Sequence, residues 1–511
     1  MRKRRIKNSL ILLSPLILLT LFSVVENLRG HYQLAKSKHA LTSQGEKLEV
    51  KELTPSFSAS SRSNASELLG LTSGLSNSPA LPNMMRLVAP GKARVLWKQA
   101  ELRDYLVTNS WESLDAQTAT VVSGLSDIGK LLENSSFDFG FNYGPYHYRE
   151  NASYLSKVKG LALWTQAAAL NNLHQGNRIS ALHQIEQILA QADSLKEERL
   201  IISQLVRISM TRIALSATWE ALQASDWTDS ELAQMQTAWG RMHFAGEMAL
   251  AFDMERTLNL AMLDKLRDGN QEISQALFAP SECGIGNPGF KPPSSAGKFF
   301  AVRIVGAMWR FTWGSQAENH YLISSQKFVS ATRKAAETKS VAEFAPAVTE
   351  FEHWYASAGI YSQARFFLTK LLLPAWPTAE RKALSVETEK WLVLTAIALK
   401  RYAMRYGKPT SELSALTPEF LATIPTDYMN GKPLNYRLNS DGTWLLYSVG
   451  EDEKDDGGDS TPEGTFSSYR GIWNGKDAVW PIPASKQEVE EYDRKKVEEQ
   501  KKMSGTTGNI L

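Results

Sequence analysis

The N-terminus of the chain carries a cationic segment that is followed directly by an uncharged apolar run. Five of the first seven residues are cations, namely Arg2, Lys3, Arg4, Arg5 and Lys7. The run from Ser9 to Val25 has 17 residues. As a helix it would span about 26 Å, close to the roughly 30 Å hydrocarbon core of a bilayer. The sequence therefore predicts a membrane-spanning helix at 9–25, after a basic flank at 1–8.

The residues on either side of this run predict its orientation in the membrane and whether it is cleaved. A cleavable signal peptide usually ends in an Ala-x-Ala-like site, whereas this run ends at Val25 and continues as Glu26-Asn27-Leu28-Arg29. Flanking cations stay on the cytoplasmic side of a membrane. We therefore expect an uncleaved single-pass anchor in a bacterial inner membrane, with the N-terminus cytoplasmic and the bulk of the chain extracytoplasmic. A cleaved signal peptide is the alternative.

Composition limits the classes of protein to which the rest of the chain can belong. The chain has 511 residues, of which 43% are apolar and 10% aromatic, enough to bury a sizeable core. The formal net charge of +3 includes the five N-terminal cations, so the remainder carries −2. No dense basic run with interleaved aromatic residues occurs there, and no nucleic-acid partner is expected. The single cysteine, Cys283, excludes an intramolecular disulfide and a thiolate metal cluster.

Apolar residues recur at helical spacing through most of the chain, which predicts a mainly α fold. A membrane-proximal helix and a linker rich in Ser, Pro and Gly are expected at 26–94, and an α-helical bundle body at 95–377 with a break at 280–297. The nearly all-round apolar stretch from Ser194 to Leu222 predicts the buried central helix of this bundle. Thr228-Asp229-Ser230-Glu231 is a capping box, which predicts the start of another helix.

One helical hairpin within the body resembles a tetratricopeptide-type unit. In the stretch 170–189, Gly176 falls at a turn between two apolar helices, and Ala181 falls where those helices would cross. A second copy does not follow about 34 residues later, so a tandem array is not predicted.

The last folded stretch has a distinctive order of elements. A helix ending in Tyr402-Ala403-Met404-Arg405-Tyr406-Gly407 leads to Pro425-Thr426-Asp427, then to a hairpin through Asp441-Gly442 and a strand at 444–450. This order resembles the globular domain of the major pseudopilins of type II secretion. The resemblance implies a small α+β module at 378–483, followed here by a charged tail at 484–511.

An acidic loop follows the last strand of this module. Seven carboxylates lie within 451–463, around Gly457 and Gly458. In an alignment with an EF-hand loop, Lys454 takes the third position, where a cation opposes calcium, so an EF-hand is not predicted. A solvated acidic turn without an ion is one interpretation of the loop.

The family resemblance provides the other interpretation, a calcium site. In pseudopilins, the loop after the corresponding strand binds calcium through backbone carbonyls near its start and through side-chain carboxylates further on. The resemblance therefore implies a site here that is drawn from the carbonyls of Ser448 and Val449 and the carboxylates of Asp455, Asp456 and Asp459.

The sequence contains no motif that identifies a reaction. His-Glu-x-x-His, Gly-x-Ser-x-Gly, P-loop and paired Cys-x-x-Cys patterns do not occur. The leading hypothesis is a non-catalytic, membrane-anchored binding or assembly protein. The alternative is a membrane-anchored hydrolase whose site lies in a cleft near the aromatic cluster 137–148. A broad groove or an exposed apolar patch would favour the first, and convergent polar groups in a deep pocket the second.

Overall fold

Helices make up most of the structure. The computed structural model describes residues 2–72, 75, 79, 86–98, 101–103, 108–133, 135–147, 150, 152–269, 306–307, 309–462 and 471–507, and of residues 2–16, 101–103, 108–109, 360, 471 and 500–507 it describes the backbone alone. Helices account for 66% of the described residues and strands for 6%, which confirms the predicted mainly α fold. The predicted break at 280–297 lies outside the described residues.

The helices of the described part of the chain are numbered here in chain order. Up to residue 269 they are α1 (Arg2–Ser43), α2 (Val50–Leu53), α3 (Ser61–Thr72), α4 (Trp111–Ala119), α5 (Val122–Leu132), α6 (Ser153–His174), α7 (Arg178–Asp193), α8 (Ile201–Leu222), α9 (Asp229–Gly240) and α10 (Ala245–Arg267). From residue 314 onward they are α11 (Gly314–Thr338), α12 (Ala345–Ser357), α13 (Ile360–Arg365), α14 (Phe367–Leu372), α15 (Trp376–Tyr406) and α16 (Lys486–Thr507).

Helix α1 contains the predicted membrane-spanning segment 9–25. Among the residues whose side chains are described, no helix is long and apolar enough to cross a membrane. Residues 9–16 of the predicted segment lie outside that part of the chain. The membrane anchor therefore stays a prediction.

The centre of the molecule is a helical bundle, as predicted. Helices α6 and α7 form the expected hairpin, with Gly176 at φ 80° in the turn and Ala181 fully buried. Helix α8 packs against both, and 16 of its 22 residues are buried, which confirms the predicted central helix. The capping box at the start of α9 is also confirmed, since the Thr228 hydroxyl accepts from Glu231 N and the Glu231 carboxylate accepts from Thr228 N.

Helix α15 joins the bundle to the C-terminal part of the chain. It has 31 residues, and 19 of them are buried. The predicted boundary between 377 and 378 falls in its first turn, and its apolar side chains share one core with α8, α10 and the C-terminal strands. Gly407, at φ 71° in the left-handed region, ends the helix.

Two buried charges on α15 satisfy backbone groups where α9 ends and α10 begins. Glu387 accepts from the amide of Phe244 at 2.7 Å, and Lys390 donates to the carbonyl of Met242 at 3.0 Å. The two side chains also pair with each other at 2.5 Å. An anion therefore lies at the start of α10 and a cation at the end of α9, as the helix dipoles favour.

Further polar contacts tie α15 to α8. Lys400 donates to the carbonyl of Leu222, at the last residue of α8, at 2.6 Å. Arg212 on α8 donates to the carboxylate of Glu389 at 3.0 Å. Because these contacts fall at the middle and at the C-terminal end of α8, the register of α15 on the bundle is fixed over several turns.

Short strands pack around this bundle. They are β1 (Leu87–Ala89), β2 (Lys92–Ala93), β3 (Glu101–Arg103), β4 (Thr108–Ser110), β5 (Thr426–Asp427), β6 (Lys432–Pro433), β7 (Asn435–Leu438), β8 (Trp444–Ser448), β9 (Ala478–Val479) and β10 (Ile482–Pro483). Strands β7, β8 and β9 form an antiparallel sheet beside α15. Strand β10 pairs in parallel with β2, so part of the predicted linker 26–94 pairs with the last strand of the chain.

We expect Glu387→Ala to destabilise the protein strongly. The substitution leaves the Phe244 amide and the Lys390 ammonium buried without their carboxylate, and breaking a buried pair typically costs about 3–5 kcal/mol. Glu387→Gln keeps an acceptor for the amide and is expected to cost less. Urea unfolding of the full-length chain measures both, with Glu352→Ala, which removes an exposed carboxylate on α12, as the control. Equal stability of Glu387→Ala and Glu352→Ala would contradict this role.

Candidate functional site

The C-terminal part of α1 packs along α11. The Ser23 hydroxyl lies 3.0 Å from that of Thr312, and Gln316 Nε2 donates to the Glu26 carbonyl at 2.6 Å. A Cβ on Gly30 would lie 2.7 Å from the Gln316 side chain, so glycine permits this close approach. One face of α1 is thereby fastened to the folded body.

The preceding turns of α1, residues 17–25, are exposed on nearly every side. Every residue in this segment except Ser23 is exposed, including Leu18 at 66% and Val25 at 60%. The exposed large apolar side chains are Ile17, Leu18, Leu19, Leu21, Phe22, Val24 and Val25. A helix that is apolar all round belongs in a protein core or a membrane. We call residues 17–25 the apolar segment.

A groove runs along helices α5, α7 and α9. Its volume is about 820 Å³. Buried apolar side chains form its base, and exposed polar side chains form its edges. The base includes Leu132, Phe137, Leu189 and Met242, and the edges include Lys130, Glu133, His183, Gln234 and Arg241. The accessible surface of the groove is more polar than apolar, because the apolar side chains at its base are largely buried.

Polar groups within the groove already bind one another. Glu186 accepts from Gln234 Nε2 at 2.9 Å, and Asp193 pairs with the fully buried Arg207 at 2.7 Å. Catalytic sites usually contain groups with strongly perturbed pKa values. Burial raises the pKa of Glu220 to about 8 and that of Glu255 to about 7, yet neither carboxylate lines the groove.

The aromatic cluster 137–148 packs over the bundle, as expected for aromatic residues of a loop. The Phe139 and Tyr154 rings stack with centroids 5.0 Å apart. Phe141 and Tyr143 meet edge on, also at 5.0 Å. Phe137 is buried against the α6 side chains and forms one end of the groove. Tyr148 lies outside the described residues.

The acidic carboxylates of the predicted calcium site have protein partners. Asp455 Oδ1 accepts from the Tyr447 hydroxyl at 3.0 Å. The Lys476 ammonium lies 3.1 Å from Asp459 Oδ2 and 4.0 Å from Asp456 Oδ1. Hydrogen bonds from Thr461 and then the Lys476 ammonium lower the pKa of Asp459 to about 2. A lysine therefore supplies positive charge where the sequence predicted a metal ion.

Ser448 and Val449, the other two predicted ligands, are held by a buried carboxylate that sequence reasoning did not assign to the site. The Ser448 hydroxyl donates to Asp427 Oδ1, and the Val449 amide donates to Asp427 Oδ2, both at 2.9 Å. Asp477 plays the same part for the acidic loop, since it accepts from the Gly458 amide at 2.7 Å. The Pro-Thr-Asp segment was the available signal for Asp427.

The geometry leaves the calcium site as a prediction. Within the part of the chain that the structure describes, no group of three or more His, Cys, Asp or Glu side chains is arranged to hold a metal ion. Backbone carbonyls such as those of Ser448 and Val449 would have to complete any site.

Comparison with known proteins adds no assignment. The chain matches no family model, no characterised protein and no solved structure. The resemblances to pseudopilins and to a tetratricopeptide hairpin therefore stay predictions from the sequence.

If calcium binds the acidic loop, it should raise the melting temperature of the full-length chain. A ligand at a hundredfold excess over its Kd stabilises by about 2.7 kcal/mol. Calcium must displace the Lys476 ammonium, so Lys476→Met should enlarge the effect, whereas Asp456→Ala and Asp459→Ala should abolish it. Magnesium, which demands a tighter octahedron, is the control ion. Equal melting temperatures in calcium and in chelator would favour the solvated acidic turn.

Proposed function

We propose that this protein is a membrane-anchored binding or assembly protein of the bacterial inner membrane. Helix α1 holds it in the bilayer, and the folded body lies on the extracytoplasmic side. The observation that carries this proposal is the apolar segment 17–25, in which every residue except Ser23 is exposed and seven of the exposed side chains are large and apolar.

Energetics favour a lipid environment for this segment. Removing one Val, Leu, Ile or Phe side chain from water is worth about 1.5–3 kcal/mol, and seven such side chains are exposed between Ile17 and Val25. The sequence before residue 17 continues the apolar run back to Ser9. The five cations before that run supply the orientation, because they remain in the cytoplasm.

The groove along α5, α7 and α9 is the proposed binding surface. Its apolar base and polar edges suit a segment of a partner polypeptide that carries apolar side chains flanked by polar ones. The body would thus present a partner protein at a fixed place beside the membrane. The pseudopilin-like interpretation of residues 378–483, with its possible calcium ion, agrees with a part in assembly.

The same groove is where the alternative function would lie. A hydrolase site near the aromatic cluster would border Phe137 and could use His183, which is exposed at the edge of the groove. Binding is favoured over hydrolysis because the groove acids Glu186 and Asp193 are engaged with Gln234 and Arg207.

The anchor is tested by charges in the apolar segment. Leu18→Arg combined with Leu21→Arg should release the protein from membranes, because arginine near the centre of a spanning helix costs about 2.5–3.5 kcal/mol. Both side chains are exposed, so the body should remain folded. The measurement is the fraction that stays in the membrane pellet after an alkaline wash. Tyr32→Arg, at a 71% exposed position of the same helix, is the control and should stay in the pellet. Release of the unsubstituted chain would contradict the anchor.

The groove is tested by a photo-crosslinking amino acid introduced at Ala238 of the full-length chain in cells. Ala238 lines the groove, whereas its neighbour Thr237 is exposed and does not line it. We expect crosslinks to one polypeptide from position 238 and not from the control at 237. The groove-filling change Gln187→Trp should suppress them. Absence of a polypeptide crosslink at 238, together with a hydrolytic activity lost in His183→Ala, would favour the alternative function.

A further inference from the structure

We infer that the folded body also contacts lipid headgroups directly, through a rim of aromatic and basic side chains beside α1. The inference rests on the proposed membrane anchor, because the rim is defined by its position next to that helix. The rim consists of Arg310, Phe311, Trp313, Tyr361 and Arg365.

The contacts of α1 with α11 and with the residues just before it fix the position of the rim along the axis of α1, which we call its height. Ser23 meets Thr312 at 3.0 Å, and Glu26 meets Gln316 at 2.6 Å. The step from Ser23 to Glu26 along α1 therefore runs in the same direction as the step from Thr312 to Gln316 along the neighbouring segment. Because Phe311 immediately precedes Thr312, it lies beside the last turn of the apolar segment.

A second element reaches the same height. Arg365, at the end of α13, lies 3.6 Å from the Glu26 carboxylate, and its guanidinium carbon is 6.0 Å from the centre of the Tyr361 ring. The Tyr361 ring meets Trp313 edge on, with centroids 5.5 Å apart. Side chains from two separate parts of the chain thus converge on one face, next to the helix that would enter the bilayer.

The chemistry of this face suits the lipid interface. Phe311 is 57% exposed and Tyr361 is 50% exposed, and the Arg310 guanidinium carbon lies 4.2 Å from the centre of the Phe311 ring. Tryptophan and tyrosine concentrate at headgroup level because one end of each ring is apolar and the other is polar. Arginine keeps its charge in the headgroup region while its stem covers apolar surface. A bilayer whose hydrocarbon ends near Val25 would place its headgroups at this height.

The test uses the full-length protein in vesicles of phosphatidylcholine and phosphatidylglycerol that contain a lipid with a nitroxide-labelled headgroup. Cys283 is the single cysteine, so Cys283→Ser allows one fluorophore to be attached at Phe311→Cys or at Tyr361→Cys. Tyr406→Cys, at a 49% exposed position at the end of α15, is the matched control. All three side chains are exposed, so none of the changes should open a cavity in the core.

The nitroxide lipid should quench the fluorophores at positions 311 and 361 by a larger factor than the one at 406. Flotation of the same vesicles separates the rim from the anchor. Protein that floats while its rim labels are quenched no more than the control would overturn the rim and leave the anchor intact. Protein that does not float would overturn both. Rim labels shielded from aqueous iodide but not quenched by the lipid would place a protein partner there, and would also overturn the lipid contact.

Discussion

The folded body depends on the buried pair of Glu387 and Lys390 at the junction between α9 and α10. Two buried charges are costly to remove from water, and their attraction offsets that cost only when the remaining hydrogen-bonding groups are satisfied. The amide of Phe244 and the carbonyl of Met242 meet this condition. Arg207 on α8 donates to the carbonyl of the intervening His243 at 2.6 Å. Helices α8 and α15 are thereby both fixed to the short junction between α9 and α10.

This junction connects the groove to the C-terminal sheet. Met242 lines the groove, while its carbonyl is held by Lys390 on α15. On the same stretch of α15, Glu389 accepts from Arg212 and from the indole of Trp473, beside the strands. A partner that displaced α9 would have to break buried polar contacts on α15. Helix α15 therefore supports the groove from behind at Met242, and the C-terminal strands pack beside the same helix.

Local features of this fold could be predicted from the sequence, whereas contacts between distant segments could not. The capping box at Thr228 was readable because its groups lie within four residues. The contact between Glu387 and Phe244 joins residues 143 positions apart, and no local pattern marks it. At the acidic loop, the clustered carboxylates and the resemblance to pseudopilins led to the hypothesis of a calcium site. The groups that organise and neutralise the loop, Asp477 and Lys476, reach it only after β8 and β9 pair.

The length over which α1 is fastened decides how the body can stand on a membrane. Near one end of the contact, Glu26 binds Gln316. Beyond the other end, Glu46 pairs with Arg333 at 2.6 Å and with the buried Arg256 at 3.4 Å. The stretch from Ser23 to Glu46 is therefore held against the body near both of its ends. A helix held in this way keeps a fixed direction relative to the body, whereas a Gly- and Ser-rich linker behaves as a flexible coil. If the apolar segment enters the bilayer, the tilt of α1 therefore sets the orientation of the whole body, including the height of the rim and the direction in which the groove opens.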